Sequence, residues 1–352
     1  MPRSLSRQAK GSFKAMAVWM ALALTLGGCQ ATGLNTSGSR GDSANGQSRR
    51  VVRASVAPQI VEEGREGDGT APKIEDLEGM VKIPEGEFWM GSSPEEMSAA
   101  FEMCKEARGE GKCLMDWFSN EWPRRRVWLK GYWIDKHEVT VEEYGRCVQA
   151  RGCSAPKSTK EGEAYNWEAS DRGEHPINGV DWDQAVAFCK WAGKRLPSEA
   201  EWEKAARGTE GLTFPWGEGV PGKGDGSGRG VLGNFPDEEM KKKYSENMII
   251  EGYNDGYAMT APVGIFERGV SPYGAHDMAG NVWEWVQDWY DVNYYGKAPS
   301  KNPVNQASGP KRVFRGGSWG FVDPSSLRAA YRGSVAPSYA GLYLGFRCAR
   351  FD

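Results

Sequence analysis

The chain is poor in the residues that most metal and phosphate centres use. Only three histidines occur in 352 residues, His137, His175 and His276, and none stands in H-x-x-x-H or H-E-x-x-H spacing. A histidine zinc centre therefore has weak support, and with no CxxC anywhere so does a zinc ribbon. No GxGxxG is present, and the Gly-rich stretch 222–230 lacks a GK[ST] in register, so a phosphate cradle has no support. There is no tandem repeat. No apolar run approaches the ~20 residues of a spanning helix. Charge of one sign is also missing: the formal balance is −3, which gives a nucleic-acid partner no footing.

What the chain has in quantity is glycine and tryptophan, 46 and 15 residues. Many glycines imply many turns; many indoles imply a core of large rings. With 39% hydrophobic and 26% charged residues the composition is that of a globular protein. The exception is the start. Arg3, Arg7, Lys10 and Lys14 precede the short apolar run "AMAVWMALALTL", and Leu26-Gly27-Gly28-Cys29 follows. This arrangement resembles a bacterial lipoprotein signal, residues 1–28, with Cys29 as the lipidated residue. Gln30 in place of Asp favours the outer membrane by the same resemblance. Residues 29–75 are rich in Gly, Ser, Asn and charge; they read as a tether, and 76–352 as the globular domain. The implied setting is a bacterial cell envelope, with the membrane reached through the lipid.

Setting Cys29 aside leaves Cys104, Cys113, Cys147, Cys153, Cys189 and Cys348. An even number in an exported chain points to disulfides, of which six cysteines allow fifteen pairings. Proximity suggests Cys104–Cys113 and Cys147–Cys153, leaving Cys189–Cys348.

Segments 79–92 and 125–140 each read as two short strands around a turn. Three helix starts carry capping chemistry: Thr140 with Glu143, Asp181 with Gln184, and Ser198 with Glu201. Gly193 and Gly208 suit helix ends. In the second helix Ala185, Val186, Cys189 and Ala192 share a face, which turns Cys189 inward. Residues 237–251 read as a charged surface excursion, and 312–320 and 343–351 as closing strands. In "GNVWEWVQDWY" the carboxylate of Glu284 sits between Trp283 and Trp285, with Trp289 following. If buried, that acid needs a positive partner.

Eight motifs then occur in one order: MVKIPEGEFWMGS, YWIDKHEVTVEEY, HPINGVDW, AGKRLPSEAEWEKAARG, FPWG, YGAHDMAGNVWEW, RVFRGGSW and LGFRCAR. Together they resemble the formylglycine-generating enzyme (sulfatase-modifying factor) family from about residue 79 to residue 351. The resemblance implies an α+β fold related to C-type lectins, with little regular secondary structure and with bound Ca²⁺. One implied calcium set is Asp277, Gly280, Val282 and Glu284, the middle two through carbonyls. A second is Asn234, the Phe235 carbonyl, Asp255 and the Tyr257 carbonyl. All are hard oxygen donors, as Ca²⁺ prefers, and a cation at the first set would compensate Glu284.

The family reaction oxidises a sulfatase cysteine to formylglycine with oxygen and uses two cysteines that bind copper. Between Gly317 and Gly345 this chain holds no cysteine. Aligned from Ser318, the two positions fall at Phe321 and Ser326. Neither replaces a thiolate for Cu(I), so no copper and no formylglycine-generating activity is expected. A family branch that uses histidine-held iron is not matched. The remaining pocket would be lined by Trp319, Phe321, Ser326, Arg328 and Arg332. Arg315, Arg328, Arg332 and Arg347 suit an anionic or peptide ligand there, and equally suit salt bridges that hold loops, the commoner use. The expected role is binding an envelope protein, peptide or glycan, or serving as scaffold, with an enzyme acting on a protein substrate as the alternative.

Overall fold

The computed structural model describes residues 78–158, 164–222, 230–245 and 247–352. The signal, Cys29 and tether readings lie outside them. The described part is a mixed α/β domain of short elements. Its strands are β1 (Met80–Ile83), β2 (Gly86–Met90), β3 (Arg125–Leu129), β4 (Tyr132–Asp135), β5 (Trp283–Trp289), β6 (Arg312–Arg315), β7 (Gly333–Val335), β8 (Leu344–Gly345) and β9 (Ala349–Phe351). Its helices are α1 (Pro94–Arg108), α2 (Asp116–Ser119), α3 (Val141–Gln149), α4 (Trp182–Trp191), α5 (Glu199–Arg207), α6 (Glu238–Lys243) and α7 (Tyr294–Lys297). Among the described residues no helix is long and apolar enough to cross a membrane.

The strands form three sheets, in the orders β1-β4-β9, β2-β3 and β7-β6-β5-β8. The strands expected in 79–92 and 125–140 are present, but they do not pair with their chain neighbours. β1 pairs with β4, Met80 opposite Asp135, and β2 with β3, Gly86 opposite Leu129. Pro84-Glu85 and Lys130-Gly131 are thus corners where the chain passes between sheets, not hairpin turns. In each strand the alternate residues Phe88, Met90, Val127 and Leu129 point inward. They join Tyr132 and Ile134 in one core cluster with Ala200, Trp202, Ala205 and Ala206 of α5.

All three expected capping boxes form. Thr140 Oγ1 accepts from Glu143 N at 3.2 Å while Glu143 Oε2 accepts from Thr140 N at 2.9 Å. The Asp181/Gln184 and Ser198/Glu201 pairs do the same. Each satisfies two amides that the helix leaves unpaired, a contribution of about 1 kcal/mol per cap. A fourth box, Ser93 with Glu96, starts α1, the longest helix and one that the sequence pattern did not announce. The three disulfides are Cys104–Cys113, Cys147–Cys153 and Cys189–Cys348. In α4 the buried face is Gln184, Ala185, Phe188 and Cys189; Val186 and Ala192 are only half-buried, a correction to the expected stripe. Residues 237–251 are not wholly a surface excursion either, since α6 is capped by Asp237 and buries Met240.

Candidate functional site

β5 is the centre of the largest sheet, flanked by antiparallel β6 and parallel β8. That position buries Trp283, Glu284 and Trp285 completely. The partner of Glu284 is Arg347, which follows β8. Its Nε donates to Glu284 Oε2 at 2.7 Å and its Nη2 to Oε1 at 2.8 Å, while Trp202 Nε1 donates to Oε2 at 2.8 Å. A bidentate guanidinium therefore compensates the acid for which the sequence argument supplied a cation. Two more buried carboxylates stand nearby. Asp277 Oδ2 accepts from Gly264 N at 2.7 Å; burial pushes its carboxyl up to about 6, with Glu284 adding and Gly264 and Arg347 opposing. Glu138, which sequence reasoning missed, accepts from Asn281 Nδ2 at 2.7 Å and Val282 N at 3.0 Å. Burial, then Asp277 and Glu284, hold its carboxyl well above the usual range.

The second set has a different character. Asn234 is fully buried and its Oδ1 has no hydrogen-bond partner. Its Nδ2 lies 3.4 Å from Asp255 Oδ1. Asp255 accepts from Phe235 N and Tyr257 N, which draws the backbone of both residues around it. Burial pushes the Asp255 carboxyl up to about 8 despite these donors, and Asp237 adds to the rise. Among the described residues no guanidinium or ammonium pairs with Asp255. An orphaned amide oxygen beside an uncompensated carboxylate fits a hard cation, and Asn234, Phe235, Asp255 and Tyr257 are the residues that would hold it. Among the described residues no group of three or more His, Cys, Asp or Glu side chains is placed to hold a metal; this set relies instead on an amide, carbonyls and one carboxylate.

The loop after β6 carries the residues expected to line a ligand pocket, and here the arginines take the commoner of their two expected roles, salt bridges that hold loops. Trp319, Ser326, Arg328 and Arg332 are all buried, and Phe321 is half-buried. Both guanidinium groups are occupied inside. Arg332 chelates Glu199 at 2.6 and 2.8 Å, and Arg328 chelates Glu121 at 3.0 and 2.6 Å. Arg315 joins Glu199 and Glu203, at 3.1 and 2.6 Å. Burial would raise the Glu199 carboxyl, but Arg332 and Arg315 outweigh it and hold it low. These arginines bridge elements far apart in sequence and offer no free guanidinium to a ligand. Phe321 packs edge-on against Trp283 at 5.4 Å and against Tyr343 at 5.7 Å, filling the space with rings. α1 lies over the 3-10 turn Pro324–Leu327, tied by Arg108 Nε to Asp323 Oδ2 at 3.1 Å. Two cavities flank α1 and share Met103: one of about 280 Å³ reaches Arg328, and one of about 260 Å³ reaches Val322 and Pro324.

Residues 68–351 match the sulfatase-modifying factor enzyme 1-like domain. The chain belongs to that family. It is 31% identical over 320 residues to a formylglycine-generating enzyme of Streptomyces coelicolor, covering 80% of this chain and 92% of the relative. It is 30% identical over 365 residues to the formylglycine-generating enzyme of Mus musculus, covering 92% and 86%. Among solved structures, PvdO from Pseudomonas aeruginosa is similar at 27% identity and a TM-score of 0.56, over 78% of this chain and 94% of that one.

Within this sulfatase-modifying-factor fold the thiol positions implied by the family resemblance fall on Phe321 and Ser326. Ser326 Oγ donates to Asp323 O at 2.7 Å and Phe321 is held by its ring contacts. All six cysteines of the described residues are in disulfides. These residues do not fit a thiolate-bound copper. Sequence reasoning also missed Glu121, Glu199 and Glu203, the acids that claim the arginines. The E-A-E-W-E run of α5, residues 199–203, held a signal: Glu199 and Glu203 lie four apart on one helix face, and a core face that carries two acids calls for buried cations.

Proposed function

We propose that this chain is a non-catalytic member of the sulfatase-modifying-factor family, a binding or scaffold protein of a bacterial cell envelope. In this reading Cys29 carries the lipid that holds the domain at the outer membrane, and the domain engages an envelope protein, peptide or glycan. The observation that carries it is the loop itself: rings and a back-bonded serine occupy the places where oxidation needs thiolates. The identity to formylglycine-generating enzymes favours the alternative, oxidation of a protein cysteine, but that chemistry has no sulfur to use in this loop. One structural Ca²⁺ is assigned to Asn234, Phe235, Asp255 and Tyr257, where it would satisfy the orphaned amide oxygen. Bound there, it would fix the 234–257 turns and take no part in electron transfer.

A competition titration tests the reading. The full chain, oxidised, is mixed with a coloured Cu(I) chelate. The protein should leave the chelate intact, as should the Phe321→Ala variant. Extraction of Cu(I) by the unaltered chain, lost on changing residues of the 317–328 loop, would overturn it.

A further inference from the structure

The outward side of the β2–β3 ribbon is not absorbed by the reading above. Its inward residues are buried, and its outward residues are Glu87 and Trp89 on β2 and Arg126 and Trp128 on β3, with Trp89 directly opposite Arg126. The chain at 300–302 runs alongside β3: Trp128 N donates to Ser300 O, and Asn302 N to Trp128 O. This brings Lys301 Nζ to 5.8 Å from the Trp128 ring. Lys130 continues the outward parity just past β3 and is exposed.

The chemistry of this face is mixed. Arg124 and Arg126 lie 5.0 and 4.7 Å from the Trp89 ring centroid. Both guanidiniums have acids, Glu96 at 3.2 Å and Glu87 at 2.9 Å. Lys130 and Lys301 have none: neither ammonium makes an ion pair among the described residues. The indole N–H groups of Trp89 and Trp128 also make no hydrogen bond there and are not buried. The surface thus offers two half-exposed ring faces, two outward N–H donors, two uncompensated ammoniums and one exposed carboxylate acceptor.

We infer that this face is a docking surface for an acidic polysaccharide. The C–H-rich face of a pyranose is apolar and packs on an indole, its hydroxyls accept from the indole N–H groups, and its carboxylates meet Lys130 and Lys301. Glu87 already holds Arg126 at 2.9 Å, and the lone pairs left on its exposed carboxylate can accept from sugar hydroxyls but not from phosphodiesters, which selects among anionic polymers. The sparse cation pair also suits a chain with widely spaced charge, whereas nucleic-acid binding draws on many phosphate contacts. The inference names the partner class of the binding role proposed above and rests on that role; its residues are separate from the 317–328 loop, so its failure leaves the copper titration untouched.

The test uses the full chain in affinity electrophoresis and calorimetry with polygalacturonate, neutral dextran, polyglutamate and a dT oligonucleotide. Polygalacturonate should bind and the other three should bind at least about tenfold more weakly. Trp128→Ala should weaken polygalacturonate binding about tenfold, a loss typical of an aromatic anchor. Lys130→Gln with Lys301→Gln, two exposed positions that leave the fold intact, should weaken it by about the same factor and flatten its salt dependence. Absence of polygalacturonate binding, binding indifferent to the lysine pair, or equal binding of polyglutamate or oligonucleotide would each overturn the inference.

Discussion

The interior around Arg332 and the corner at Asn234 both bury carboxylates, but they neutralise them by different means. Around Arg332 the protein supplies the countercharge itself: Glu199 and Glu203 meet Arg315 and Arg332, and Tyr295 Oη donates to both acids. At Asn234 the donors to Asp255 among the described residues are only amides, two from the backbone and the Asn234 side chain at 3.4 Å, and the Asn234 amide oxygen is left with no donor. The Glu284 corner sits between the two, with one guanidinium for three carboxylates. A buried acid that has its arginine needs nothing from solution, whereas one that has only amides marks where an external cation is wanted.

The sharpest way to break this contrast is to make the interior resemble the corner. Arg332→Leu strips Glu199 of its chelating partner while keeping most of the volume. It should cost about 3–5 kcal/mol, because it removes the chelating partner of a buried charge and leaves it Arg315 alone as countercharge, and urea unfolding would show it. The corner should respond instead to the solution. Chelation of Ca²⁺ should lower the melting temperature, and restoring the ion at a hundredfold excess over its dissociation constant should return about 2.7 kcal/mol. Asp255→Asn should remove that response, and Arg332→Leu should keep it.

Smaller effects calibrate the comparison. Thr140→Ala deletes a cap remote from both regions and should cost about 1 kcal/mol, with no change in calcium response. Lys204 gives a pH-dependent counterpart. It is a buried cation whose partners among the described residues are the Pro84 and Gly86 carbonyls, at 2.7 and 3.0 Å. Burial pushes its ammonium down to about 8, with Glu85 opposing. Between this folded value and the usual 10.5 the unfolded chain binds the extra proton, so this group makes stability rise as pH climbs through that window. Lys204→Met should flatten that slope in melts taken from pH 8 to 10.5.

Much of the architecture could be read before any coordinates, because its signals are local. The capping boxes at Thr140, Asp181 and Ser198 need only residues three apart, and they form as written. The short disulfide loops are local too. What failed was partnership at long range. Nothing near Met80 or Gly86 says that β1 will take β4 and leave β3 to β2, since alternation fixes which face is buried but not the neighbour. The same holds for charge. Glu284 was legible as an acid in need of a partner, but Arg347 is 63 residues away, and Glu121 is 207 residues from the Arg328 it claims. Arg328 and Arg332 form the salt bridges that were the commoner reading of them; Glu121, which occupies Arg328, carries no mark of it in its own neighbourhood, whereas Glu199, which occupies Arg332, does through its spacing to Glu203. Helix α1 was missed although its Ser93/Glu96 box and Pro94 at its first position are start signals, because the run that follows has only two buried positions and so shows no apolar stripe.

The central claim is that this member of the family keeps the scaffold without the thiol chemistry. The most direct measurement is mass spectrometry of a sulfatase-derived cysteine peptide incubated with the full chain, Cu(I) and oxygen, with aldehyde capture by a hydrazine probe. The account predicts no hydrazine-reactive aldehyde at any time point, whatever disulfide copper and oxygen form on their own. A peptide converted to its aldehyde in proportion to enzyme, and left unconverted when the 317–328 loop is altered, would contradict it.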